Sequence, residues 1–321
     1  MWWILGAFGT AALVLLLASV FLFRFALARR PLTEIPEGGE REYLKRHPKG
    51  QAQVEWWAGV REARRWTARQ HTEEWETRSF DGLLLHALLI SPAHPGNRVA
   101  LCVHGYRSCG HGDFGQIQRF YLEQGFRVLL VDDRAHGKSQ GNYLGFGWLD
   151  RLDCKAWCQE LADRLGPDCS IVLHGVSMGA ATVLAAAGEP LPSQVKGVIG
   201  DCGYTSAWDQ FGHILKRDFH LPVFPLLYTA SLVCRICAGY WFQEDAPVKQ
   251  LEKSDLPLLI IHGEADDYVP TAMSRRLLAA SRDPGKKLVL VPGAAHAQSY
   301  AVAPEQYQQA AMEFFRRIGM A

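Results

Sequence analysis

Residues 171–182 read IVLHGVSMGAAT. The stretch opens with residues suited to a buried strand and passes through His174. It then sets Ser177 between Gly175 and Gly179, ahead of an alanine-rich run. A serine on an ordinary surface needs no such flanking. A serine at the tip of a sharp strand-to-helix turn does, because the turn imposes unusual backbone angles and a side chain at either glycine would strike its neighbours. The stretch therefore predicts a nucleophile elbow that raises the Ser177 hydroxyl above the end of a sheet. A G-x-S-x-G match also arises by chance, so the segments on either side must decide.

The 321 residues are 48% hydrophobic, which suits one large α/β domain with room for an insertion. The formal net charge is +1 and no basic tract is interleaved with aromatic residues, so nucleic-acid binding has no support. Residues 1–23, MWWILGAFGTAALVLLLASVFLF, carry no charged side chain. At about 1.5 Å per residue such a run crosses a hydrocarbon core of roughly 30 Å. Trp2 and Trp3 stand at one end and Arg24, Arg29 and Arg30 at the other, as expected of an interface-anchored span. Ala26-Leu27-Ala28 resembles a signal-cleavage site, but the apolar run is long for a signal peptide and neither Lys nor Arg precedes it. Residues 1–28 thus read as a retained transmembrane anchor. The arginines that follow it place the rest of the chain in the cytoplasm. The eight cysteines agree, since their spacing suggests no disulfide framework.

Residues 29–73 form a linker and N-terminal helices. The proline-punctuated part, RRPLTEIPEGGEREYLKRHPKG, is expected to stand off the membrane as a tether. Residues 52–69 read as a helix carrying Trp56, Trp57 and Trp66 among arginines; it either lies on lipid headgroups or packs its tryptophans on the domain. From residue 74 to 321 strand and helix signals alternate, as in a mostly parallel sheet covered on both faces. Residues 75–91 read as a hairpin turning at Asp81-Gly82, and RVALCVHG (98–105) and FRVLLVDD (126–133) as buried strands. SIVLHG, VKGVIGD, PLLIIHG and KLVLVPG complete eight strands. Residues 206–250, rich in aromatics at helical spacing, break the alternation and read as a cap inserted over the carboxyl edge of the sheet.

A serine hydroxyl needs a base within hydrogen-bond reach, and the base needs a carboxylate to hold its tautomer. In a sheet of this kind the acid and then the histidine follow the serine, on loops after later strands. LLIIHGEADDYVP (258–270) supplies the acid: Asp266 is favoured over Glu264 and Asp267 by its position relative to Val269-Pro270, with Asp201 at the end of the preceding strand as the alternative. LVLVPGAAHAQSY supplies the base, His296; His213 and His220 fall in the cap, and His262 precedes the acid and supports its loop. Acyl transfer also requires N–H donors for an oxyanion. The Met178 amide directly after the serine is one, and the Tyr106 amide in HGYRSCG is the other.

HGY at 104, DDRAHGKSQG at 132, GVSMG at 175, HGEADDYVP at 262 and PGAAH at 292 together resemble the α/β-hydrolase superfamily over about residues 74–318. Within it the chain looks most like serine-aminopeptidase-like hydrolases with one N-terminal membrane segment. Ala135 departs from the pattern, which more commonly has glycine there, and His136 is read as structural. The resemblance implies an esterase-type activity and leaves the substrate open; the aromatic cap and the membrane span together point to a small-molecule or lipid-like acyl substrate. A peptidase of the same chemistry and a non-catalytic binder on the same fold are the alternatives; such binders usually lack a triad member. No zinc motif or G-x-G-x-x-G fingerprint occurs, so neither metal nor cofactor is implied. Cys234-Arg235-Ile236-Cys237 lacks a second ligand pair and reads as two buried helix cysteines, and Cys154 and Cys158, one turn apart, are expected to face the core.

Overall fold

The computed structural model describes residues 2–321, without the side chains of Trp2, Ile4, Leu5, Ala7 and Phe8, so the expected interfacial placement of the Trp2 indole lies outside it. Eight strands form one sheet: β1 (His71–Arg78), β2 (Leu84–Ser91), β3 (Arg98–Val103), β4 (Arg127–Asp132), β5 (Ser170–Val176), β6 (Val195–Asp201), β7 (Leu258–Gly263) and β8 (Lys287–Val291). Their spatial order is β1-β2-β4-β3-β5-β6-β7-β8. β2 pairs antiparallel with both β1 and β4, and every later pairing is parallel. The central strands read as unbroken apolar runs because both faces are covered. Val99, Leu101 and Val103 point to one core with Trp157, Leu173 and Val183; Ala100 and Cys102 point to the other with Phe120, Phe126 and Phe315. That alternation is the pleat itself.

The expected hairpin turns at Gly82, whose φ of +86° favours glycine. However, β1 starts at His71, ahead of the expected domain start at 74. It is an edge strand with only Trp75 buried, so pairing with β2, and not an apolar pattern, defines its first residues.

The linker does not stand off as a tether. Arg29 donates from its guanidinium to the carbonyls of Ser139 at 2.7 Å and Gly137 at 2.9 Å, and its backbone N–H to Asn142. Ile35 packs on Val54, Trp57 and Val60, while Glu34, Glu37 and Glu40 pair with Arg64, Arg65 and Arg61. Charge complementarity between the linker and the helix Gln51–Thr67 thus straps both to the body. That helix buries Val54, Trp57, Val60 and Ala63, so its principal tryptophan packs on protein.

The helix Trp2–Leu27 also packs on the body. Its residues Ser19, Phe23 and Leu27, four apart, are buried. The cap consists of the helices Ala207–Asp218, capped by the Ser206 hydroxyl, and Leu226–Ala238, ended by Gly239 in the left-handed region. The short helix Pro247–Leu251, expected within the cap, belongs to the body: Leu251 joins the main core and Gln250 packs against Gly188.

Candidate active site

β5 ends at Val176, Ser177 adopts φ +57°, and the helix Met178–Ala186 starts at once. A β-carbon on Gly175 would lie 2.0 Å from the Gly179 carbonyl oxygen, and one on Gly179 would lie 1.9 Å from the Val103 oxygen. Both glycines are therefore required by backbone crowding, while the serine itself takes the strained conformation. The Ser177 N–H donates to the Asp201 carbonyl at 2.8 Å, pinning the turn to β6. His174, one turn below, is sealed between the hydroxyls of Tyr121 and Tyr307 at 2.9 and 2.8 Å. Burial drives its pKa down to about 3, which keeps this ring neutral and structural.

The loops after β7 and β8 bring Asp266 and His296 to the serine. His296 Nε2 lies 2.8 Å from Ser177 Oγ, and His296 Nδ1 lies 2.8 Å from Asp266 Oδ2. Asp266 Oδ1 accepts from the amides of Tyr268 and Val269 at 3.0 and 2.9 Å. Burial by itself raises the Asp266 pKa, but hydrogen bonds with His262 and His296 outweigh it and hold the carboxyl well below its ordinary range. His262 is fully buried; its Nε2–H donates to the Val269 carbonyl at 2.9 Å and lies 3.2 Å from Asp266 Oδ2, while the Ser274 hydroxyl meets Nδ1. Asp201, the alternative acid, instead accepts from Ser299 at 3.2 Å, and burial lifts its pKa to about 6.

The Tyr106 and Met178 amides have no acceptor among the described residues. Gly105 fits against Ser177, with 3.2 Å left for a β-carbon. Its N–H donates to Asp113 Oδ2 at 2.6 Å, and Asp113 Oδ1 accepts from the Ser108 hydroxyl at 2.6 Å. His104 donates to the Gly105 carbonyl at 2.8 Å and accepts from the Asp133 amide at 3.3 Å. His136 accepts from the Arg107 amide at 3.2 Å and donates to the Arg134 carbonyl at 3.0 Å. The loop carrying Tyr106 is thus fixed from four sides. Asp113 was missed in the sequence because it sits eight residues away on a short helical turn with no motif around it.

Cys202, Asp266 and His296 present ligand atoms within 4.8 Å of one another. The geometry favours a triad over a metal centre, because His296 and Asp266 already satisfy each other and burial raises the Cys202 thiol far above the range where it would ionise. Cys154 and Cys158 are buried in the core, and Cys237 is exposed.

Next to Tyr106 and Tyr268, and not lined by Ser177, Asp266 or His296 themselves, lies a largely apolar cavity of about 330 Å³. Tyr106 and Tyr268 border it on the catalytic side, the latter with its ring 4.9 Å from that of His296. Its far walls come from the cap and from the end of the helix Trp2–Leu27.

Residues 100–310 match the model of the alpha/beta hydrolase family. The chain belongs to that family. YqkD of Bacillus subtilis is 29% identical over 225 residues, covering 70% of this chain and 73% of its own. Among solved structures, the Pyrococcus furiosus esterase Pf2001 superposes with a TM-score of 0.64 at 23% identity, over 78% of this chain and 92% of the esterase. A Pyrococcus horikoshii acylaminoacyl peptidase superposes at 0.55 with 19% identity, over 78% of this chain and 42% of the peptidase. At such identities these two likenesses speak for the hydrolase fold alone.

Proposed function

We propose that this alpha/beta hydrolase is a membrane-anchored serine hydrolase that cleaves carboxylic esters or thioesters of apolar acyl groups. The observation that carries the reading is the chain of two 2.8 Å contacts from Ser177 Oγ through His296 to Asp266. Ser177 Oγ bonds to the acyl carbon while its proton passes to His296 Nε2. The tetrahedral oxyanion is held by the Tyr106 and Met178 amides, a contribution worth about 10²–10³ in rate per donor. The leaving oxygen or sulfur departs with the proton from His296, and the acyl group stays on Ser177. Water then gives a proton to His296 and attacks the same carbon, releasing the acid and restoring the serine. Asp266 stays ionised throughout, stabilising the imidazolium. Arg24, Arg29 and Arg30, on the carboxyl side of the apolar run, support a cytoplasmic orientation for this chemistry.

A fluorophosphonate probe tests the nucleophile. Wild type is expected to label at Ser177 and Ser177→Ala to lose the label; persistent labelling of the variant sinks the assignment. A matched amide beside a nitrophenyl ester addresses the peptidase reading, which would be adopted if the amide turned over as fast as the ester.

A further inference from the structure

From Leu15 onward one face of the helix Trp2–Leu27 packs on protein through Ser19, Phe23 and Leu27. The stretch apolar enough to cross a membrane, Gly9–Leu27, includes that packed face. A helix that spans must therefore carry its packed half, with whatever is packed on it, into the hydrocarbon. The packed element is the helix Leu226–Ala238. The Ser19 and Thr229 hydroxyls meet at 2.5 Å, and the Phe25 ring lies 6.5 Å from that of Phe219. At the other end, Leu27 accepts from the Leu144 amide, and the Leu144 carbonyl accepts from the Tyr240 hydroxyl.

The outer face of this helical pair suits lipid. Tyr228, Leu232 and Ile236, four apart, are exposed, Ile236 by 74%, and Phe224 at the tip is exposed by 72%. The helix Trp2–Leu27, packed against it, likewise exposes Leu13, Val14, Leu16, Leu17 and Phe21, and apolar side chains presented together in this way mark a lipid or partner contact. The hydroxyls at this level are satisfied internally, as hydrocarbon requires: one of Ser19 and Thr229 donates to the other, which in turn donates to a carbonyl of its own helix, Leu15 for Ser19 or Pro225 and Leu226 for Thr229. Arg235 is the charge on that face; it lies near the end of its helix and donates to the Gly239 carbonyl. With Arg24 it fits the level where headgroups begin.

The largely apolar cavity extends from this surface as far as Tyr106 and Tyr268, whose ring lies 4.9 Å from that of His296. Leu22, Phe25 and Ala26 wall it on one side and Phe219 and Leu227 on another. We propose that the helix Leu226–Ala238, with Phe224 just before it, is a second membrane-inserted element, and that the cavity takes the acyl chain of a bilayer lipid ester sideways from the leaflet. The helix Ala207–Asp218, which carries Asp209, Lys216, Arg217 and Asp218, stays outside the hydrocarbon. The acyl part of this inference rests on the serine-hydrolase reading; the insertion part does not.

Two measurements on the full chain separate the parts. In a Cys237→Ser background, bimane is attached at Phe224→Cys or, as a control at the opposite sheet edge, at Asp168→Cys. The protein is reconstituted in phosphatidylcholine–phosphatidylglycerol vesicles. Chain-brominated lipid is expected to quench the label at 224 and not at 168. Quenching at 224 by aqueous iodide as strongly as at 168, or by neither agent, overturns the insertion. Ala26→Trp and, from the facing wall, Ile214→Trp plug the cavity. In each, the ratio of palmitoyl to acetyl ester turnover, taken within one variant and so independent of its overall rate, is expected to fall about tenfold, the equivalent of roughly two buried methylenes. An unchanged ratio in a variant that still labels overturns the acyl route. Failure of the wild type to label overturns the serine-hydrolase reading and leaves the depth measurement standing.

Discussion

Ser177, at φ +57°, keeps its conformation only because β5, the following helix and the Asp201 carbonyl hold it from three sides. The same logic governs its partners: His296 acts through a tautomer that Asp266 fixes. Asp266→Asn leaves shape and volume almost unchanged but offers an amide where a carboxylate must accept, so kcat is expected to fall by about 10⁴ with folding intact. Asp201→Asn, whose carboxyl faces Ser299, is expected to change kcat far less; steady-state kinetics of the pair would reassign the acid if the order were reversed. His174 gives a different signature, in stability. Its folded pKa, about 3, lies below the usual value of 6.5, so the fold prefers the neutral ring. That contribution is complete above pH 6.5 and is lost as pH falls toward 3, because the unfolded chain takes up a proton that the folded one refuses. The slope is about 1.4 kcal/mol per pH unit for one proton. Denaturant unfolding of wild type and His174→Gln at pH 7, 5.5 and 4.5 should show the wild-type advantage shrinking with acidification. A constant difference would mean that the ring is protonated in the fold.

Between β5 and its helix the limiting quantity is space. Gly179→Ala would drive a β-carbon to 1.9 Å of the Val103 oxygen, and neither backbone can retreat without breaking the β3–β5 pairing. A loss of at least about 3 kcal/mol is expected by denaturant unfolding. Gly166→Ala meets no neighbouring atom within 4 Å, and only its φ of +84° opposes it, so the loss there is expected to be smaller. The same distinction separates what was legible in the sequence from what was not. Strands β3 to β7 are buried on both faces and announce themselves as apolar runs. Ser177 directly follows such a run and Asp266 comes three residues after another. His296 comes five residues after β8, an edge strand that still reads as apolar, so the three could be paired on paper. β1 was cut short because an edge strand needs no apolar pattern, only a partner. The strap formed by residues 29–46 was invisible because its partners are carbonyls at 137, 139 and 141 and arginines at 61, 64 and 65, far away in sequence. The supports of the Tyr106 loop are hidden for the same reason: Asp113, His136 and the Asp133 amide meet only once the sheet has formed.

Across the whole molecule, the N-terminal helix and the catalytic loop form one mechanical unit. The Tyr106 hydroxyl donates to the Ala26 carbonyl at 2.8 Å, and the Arg107 guanidinium donates to the Phe25 carbonyl. Phe23 and Leu27 sit in the same core as Phe146, Met178 and Tyr240. A chain cleaved after Ala28 would therefore lose a wall of its cavity, two buried anchors of its core and the tie on the loop that carries the Tyr106 amide. Phe23 and Leu27 fill a core shared with Phe146, Met178 and Tyr240, so a fragment starting at Arg29, which leaves that space empty, is expected to be less stable than the full chain in matched detergent by about 2–5 kcal/mol. Its fluorophosphonate labelling should slow, because the Tyr106 amide is less firmly placed, and its preference for long over short acyl esters should shrink, because Leu22, Phe25 and Ala26 are gone. An anchor acting only as a tether makes the opposite forecast: a fragment as stable, as reactive and as selective as the whole. Chemical unfolding and probe kinetics on the two forms decide between them, and equality in all three measures would return the helix Trp2–Leu27 to the role of a tether.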